Sequence, residues 1–200
     1  ITRFGGKTLD SEGYDLLGLM TGSEGLLGVI TEVTVKILKK PEVVKAALIG
    51  FSSIEDAGQC VSEIIAKGII PAGMEIMDKA LTKATNDYSK AGYPVDAEAM
   101  MIVELDGTET EVSELIKRVE DIAKKNKCSS IKINKSEEER LKFWAGRKAA
   151  FPACGDLAPD YMCMDGSIPR GKLAEVLKEI QRLSKKYELP VANAFHAGDG

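Results

Sequence analysis

The residues of this chain whose types and spacing could do chemistry fall into four short segments. The single histidine, His196, stands in Phe195-His196-Ala197-Gly198-Asp199-Gly200. A histidine at a strand end, beside an aspartate and two glycines, suits proton transfer or metal ligation, and a hydrogen-bonded structural imidazole is the alternative. Arg147 lies in Phe143-Trp144-Ala145-Gly146-Arg147-Lys148-Ala149-Ala150-Phe151-Pro152. Its planar fork matches a carboxylate bidentately, although a surface salt bridge would use the same group. Asp165, in Met162-Cys163-Met164-Asp165-Gly166-Ser167-Ile168-Pro169-Arg170, either orients a neighbouring donor or makes the Asp-Gly turn. The fourth segment is Thr21-Gly22-Ser23-Glu24-Gly25-Leu26-Leu27-Gly28. It precedes a predicted strand and lacks Gly-Lys-Ser/Thr, so it is neither a Rossmann fingerprint nor a Walker A loop. Its glycines permit close backbone approach to a ligand such as a pyrophosphate, and serve equally well as a bend before a strand.

The elements that must position these groups follow from hydrophobic period and turn chemistry. Residues 28–38 are β-branched and partly alternating, which predicts a strand. From Val43 onward short strands alternate with amphipathic helices. Strands are expected at 45–51, 74–77, 100–105, 130–133, 162–165 and 191–195. Ser52-Ser53-Ile54-Glu55, Thr108-x-x-Glu111 and Ser136-x-x-Glu139 open helices as capping boxes. Val112, Leu115, Ile116, Val119, Ile122 and Ala123 recur at helical spacing, as do Leu173, Val176, Leu177, Ile180, Leu183 and Tyr187. A further helix is expected over 78–88. Several links are too short for parallel crossovers, and Lys132 between Ile131 and Ile133 marks a strand with one polar face. The expected architecture is α+β, a ferredoxin-like domain of mixed or antiparallel sheet, with helices on one side and the other sheet face open to water or a partner.

Composition excludes several function classes. The 200 residues are 44% hydrophobic and 29% charged, an ordinary globular balance. A net charge of -4 argues against a nucleic-acid surface, and the basic run Lys124-Lys125-Asn126-Lys127 suits a helix C-terminus instead. Cys60, Cys128, Cys154 and Cys163 form no C-x-x-C pair, as expected of reduced thiols in a cytoplasmic protein. No apolar run approaches a membrane span. The chain opens without methionine and stops inside the His196 motif, so it is expected to be a stretch of a longer protein.

The order of segments resembles FAD-linked oxidases of the vanillyl-alcohol-oxidase type over essentially the whole chain. Gly13-Tyr14-Asp15-Leu16 and Leu19 to Glu32 look like the end of their flavin-binding domain. Trp144-x-x-Arg147-Lys148, Asp165-Gly166-Ser167-Ile168-Pro169-Arg170 and His196-Ala197-Gly198-Asp199-Gly200 follow in the order of their C-terminal cap domain. The resemblance is strongest to the branch that oxidises glycolate or D-lactate. It implies residues 1–41 as the C-terminal part of an FAD-binding domain, and 42–200 as the substrate (cap) domain, incomplete at its C-terminus. It implies FAD contacts at Gly22, Ser23, Glu24, Gly25, Gly28, Ile30, Gly198, Asp199 and Gly200. Arg147 would grip a 2-hydroxy acid carboxylate. His196 would stand near the flavin face, as a ligand to a divalent metal (Zn, Mn or Fe) that holds the substrate hydroxyl. Hydride would pass to the flavin. An iron–sulfur subunit or an electron-transfer flavoprotein would take the electrons, with self-association compatible and a location in the cytoplasm or peripheral to the inner membrane face. The family's Asn-Leu-His after Gly200 and its earlier glycine-rich loop are not in the chain. Cys163 stands where some relatives carry lysine. The 200-residue chain alone is expected not to hold FAD tightly. A non-catalytic ferredoxin-like interaction or regulatory module, docking through the open sheet face, is the competing reading.

Overall fold

In a computed structural model, residues 1–6 and 13–198 are described, and the chain divides into two units, Ile1–Lys40 and Pro41–Gly200. The first unit carries one short helix, α1 (Leu16–Met20), capped by Asp15, whose Oδ1 accepts from the Gly18 amide at 2.9 Å. Residues 28–38 do not form the expected strand. Their β-branched side chains favour extended backbone, but a strand is held by ladder bonds to a neighbour, and among the described residues none is paired with them.

The second unit is built from β1 (Val43–Phe51), α2 (Ile54–Ala66), β2 (Gly73–Asp78), α3 (Lys79–Ser89), β3 (Ala99–Gly107), α4 (Glu109–Lys125), β4 (Cys128–Ile133), α5 (Glu137–Lys148), α6 (Ala150–Cys154), a 3-10 turn (Arg170–Lys172), α7 (Leu173–Tyr187) and β5 (Ala194–His196). Local chemistry sets the helix starts. Ser53, Asp78, Thr108 and Ser136 each accept from a first-turn amide, satisfying a donor that the helix leaves orphaned. At Thr108 the box is reciprocal, with the Glu111 carboxylate reaching back to the Thr108 amide at 3.1 Å. Gly68, at φ +72, follows the C-cap of α2 in the left-handed region that glycine enters without a Cβ clash.

The five strands form one sheet in the order β4-β1-β3-β2-β5, antiparallel at every pairing. β1-α2-β2 and β3-α4-β4 interleave as a ferredoxin-like pair of split βαβ units, and β5 extends the sheet at the β2 edge. Strand alternation sends Ala47, Ile49, Phe51, Ile76, Met101 and Val103 to one face, where they join Ile54, Val61 and Ile64 of α2, Val112 and Val119 of α4, and Leu173 and Leu177 of α7 in a single buried cluster. Each fully buried Ile or Phe there contributes about 1.5–3 kcal/mol.

The opposite face is not open, contrary to expectation. Ala46, Leu48, Met77, Met100 and Ile102 are covered by Leu81 of α3, Phe143 of α5 and Ala150 of α6, together with Ala91 and Tyr93. Two helices account for this: α5 buries Phe143 and Gly146, while α6 adds a turn in which Pro152 sits in the first three positions, where its missing amide costs little. Residues 162–165 form no strand and expose Met162 and Met164. α7 keeps Leu173 and Leu177 buried, but Leu183 and Tyr187 are exposed.

Candidate active site

β2 carries a charged residue, Glu75, between Met74 and Ile76, and the pleat turns it onto the face covered by α5. Its side chain is only 5% exposed. A carboxylate so far from water needs partners, and it has two. Arg147, in the last turn of α5, donates from Nε to Oε2 at 2.8 Å with its own side chain 18% exposed. His196, on β5, bonds through Nδ1 to Oε1. The β2–β5 register pairs Glu75 with His196, so this contact follows from strand pairing: residues directly opposite in an antiparallel ladder share a face.

Asp78 fixes that register. Its buried carboxylate caps α3 through the Leu81 amide at 3.0 Å and accepts from the Asn193 backbone and side-chain amides at 2.8 and 2.7 Å. The Asp78 amide in turn donates to the Asn193 carbonyl at 3.1 Å, and the Ala197 amide donates to the Met74 carbonyl at 2.7 Å. The two hydrogen-bonded ends bracket His196. Burial pushes the Asp78 carboxyl above the usual range, against the hydrogen bonds from Leu81 and Asn193 that pull it down.

A second carboxylate, Glu104, holds α5 on the sheet beside this point. It accepts from Trp144 Nε1 at 2.5 Å and Arg140 Nη1 at 2.6 Å, and Arg140 also reaches Glu137. Gly73 pairs with Glu104 across the ladder, and a Cβ at Gly73 would stand 3.1 Å from the Trp144 ring, a tight contact. An added Cβ there would press on the Trp144 ring, which would have to give by a few tenths of an ångström.

His196 is 75% exposed and borders a pocket of about 620 Å³ lined by residues 165–169, Leu173 and 194–197. This joins two of the sequence-predicted segments in one wall. Asp165 makes its turn, accepting from the Gly166 amide at 2.9 Å. Arg147 reaches the same locus through Glu75. Gly198 lies in the turn after β5, while Asp199 and Gly200 fall outside the described residues.

Gly22, Ser23, Glu24, Gly25, Gly28 and Ile30 belong to the first unit. There Gly22 and Gly25 have φ of +78 and +83, and Glu24 has φ of +51. Apart from the chain neighbours, no atom of the described residues lies within 4 Å of the position a Cβ would take at Gly22 or Gly25. That open cradle of backbone fits the approach of a flavin nucleotide. Among the described residues no group of three or more His, Cys, Asp and Glu is placed to hold a metal ion, and the Glu75 carboxylate that meets His196 is also bonded to Arg147.

Glu75 was the residue that motif reading missed. It stands in no glycine turn, and its partners lie 72 and 121 positions away, as the numbering of Arg147 and His196 shows. The available signal was a carboxylate flanked on both sides by apolar residues in mid-strand, a position that demands a cation or donor from elsewhere.

Residues 40–200 match the model of the FAD linked oxidases, C-terminal domain. Glycolate oxidase subunit GlcD of Escherichia coli (strain K12) is 56% identical over 196 residues, covering 98% of this chain and 39% of that protein. D-lactate dehydrogenase [cytochrome] 1, mitochondrial, of Saccharomyces cerevisiae (strain ATCC 204508 / S288c) is 32% identical, covering 95% of this chain and 34% of that protein. The chain thus spans well under half the length of these relatives. Among solved structures, an alkyldihydroxyacetonephosphate synthase shares the fold, with a TM-score of 0.65 at 19% identity over 92% of this chain and 39% of that one. The chain belongs to the family of FAD linked oxidases, as a bearer of their C-terminal domain.

Proposed function

We propose that this chain forms the substrate domain, and through residues 1–41 part of the flavin domain, of an FAD-dependent oxidoreductase acting on a small D-2-hydroxy acid, glycolate or D-lactate. The observation that carries this reading is the convergence of Arg147 and His196 on one buried carboxylate, with His196 itself lining a pocket. With Nε engaged by Glu75, the terminal nitrogens of Arg147 are the edge left for a substrate carboxylate. With Nδ1 engaged, His196 keeps Nε2 for the substrate hydroxyl. Oxidising CHOH to C=O releases one proton from oxygen and one hydride from carbon. His196 takes the proton. FAD, when bound, supplies the two-electron acceptor.

Support for FAD comes from the family match and the open glycine turn at Gly22 and Gly25. A divalent cation at His196 (Zn, Mn or Fe) would need ligands from outside the described residues, and no step is assigned to it. The E. coli relative is named as a subunit, which favours a partner in electron transfer: an iron–sulfur subunit or an electron-transfer flavoprotein. Self-association is compatible. We place the protein in the cytoplasm or on the inner membrane surface; no helix among the described residues is long and apolar enough to cross a membrane. The reading as an interaction module relied on an exposed sheet face, and α3, α5 and α6 cover that face.

The test is dye reduction by the full-length protein with glycolate or D-lactate. Arg147→Ala and His196→Ala should each lower kcat/KM about 100-fold or more at unchanged flavin content. Ordinary turnover in both variants overturns the assignment.

A further inference from the structure

We infer that Glu75 is a positioning residue that sets both the tautomer of His196 and the spacing at which the site reads its substrate. The inference rests on the reading of the site as one for 2-hydroxy acids, and extends it to a residue that contacts no substrate.

Two facts carry it. First, a carboxylate only accepts, so the Oε1–Nδ1 bond requires the proton on Nδ1 and leaves the lone pair of a neutral imidazole on Nε2. His196 is 75% exposed, so water would otherwise leave its tautomer free. A buried carboxylate held by strand register removes that freedom. Second, the same carboxylate uses its other oxygen for Arg147 at 2.8 Å. The cation and the imidazole are therefore held side by side by the two oxygens of one group. Adjacent recognition elements fit a substrate whose carboxylate and hydroxyl sit on neighbouring carbons. A 3-hydroxy acid, with one more carbon between them, does not match that spacing. The burial of Glu75, 5% exposed, keeps water from competing for either oxygen.

Two measurements test this separately. The chain has one histidine, so a nitrogen-15 imidazole spectrum of the chain at about pH 9, where an ordinary imidazole is neutral, reports His196 alone. The Nδ1–H tautomer should dominate. Glu75→Gln presents an amide NH₂ that can donate to Nδ1, and should move the population to Nε2–H. A wild-type spectrum dominated by Nε2–H overturns the inference without need of any variant. In the full-length flavoprotein, Glu75→Gln should lower kcat for the 2-hydroxy acid about 100-fold or more at unchanged flavin content, and should shrink the preference for 2-hydroxy over 3-hydroxy acids. An unchanged preference ratio overturns the spacing role. A shifted tautomer with full turnover leaves the positioning intact and overturns instead the assignment of His196 to the chemistry.

Discussion

At the scale of single residues, the site depends on close approaches that tolerate no added atom. Gly146 lies between Trp144 and Arg147 on α5, and a Cβ there would run into the Tyr93 ring. Tyr93 is buried, its hydroxyl donates to the Phe143 carbonyl, and burial pushes its phenol above the ordinary range. Gly146→Ala should therefore cost about 1–3 kcal/mol, the usual range for overpacking. It would be read as a lower urea midpoint at unchanged slope; a midpoint equal to wild type would show that α5 can shift freely. This requirement was not legible in sequence, where Gly146 is one of 19 glycines and Tyr93 stands 53 positions earlier. Arg147 and His196 were legible because their residue types announce chemistry. Glu75 was not, because a glutamate announces nothing until its burial is known.

At the scale of elements, helix starts were the most legible feature, since a cap is written within four residues. Thr108 and Glu111 open α4, and Ser136 and Glu139 open α5. Strands were less so, because each depends on a partner far away: residues 28–38 and 162–165 have strand composition and no ladder. The caps imply a pH dependence. The Thr108 hydroxyl and amide hold the Glu111 carboxyl below the usual range. The Lys132 ammonium, then the Lys135 amide, do the same for Glu139. A carboxyl with a folded-state pKa below its unfolded value stabilises above the unfolded value, about 4.3 for glutamate, and loses that contribution as pH falls through the folded value. Thermal midpoints should thus decline as pH drops below about 4.5, and the Glu111→Gln/Glu139→Gln double variant should decline less steeply. An identical slope would remove the caps from the acid response.

At the scale of the whole molecule, the first unit leaves Leu26 and Leu38 almost fully exposed, at 89% and 88%, and the chain covers 39% of its E. coli relative. We expect the purified 200-residue chain to carry no stoichiometric flavin, and the full-length protein to carry one per chain. A bound flavin absorbance from the short chain would show that the glycine turn suffices. The split βαβ topology itself was readable from the alternation of elements. The helices on the second sheet face were not, because α5 is charged along most of its length and hides one aromatic anchor, Phe143. The position of β5 carries a consequence for synthesis. It leaves the ribosome after the other described strands, yet it pairs with β2, made some hundred residues earlier. Until it arrives, β2 is a bare edge with Glu75 lacking its imidazole partner, open to pairing with other nascent chains. Asp78, waiting at the end of β2 with acceptors for Asn193, is the latch that closes this edge.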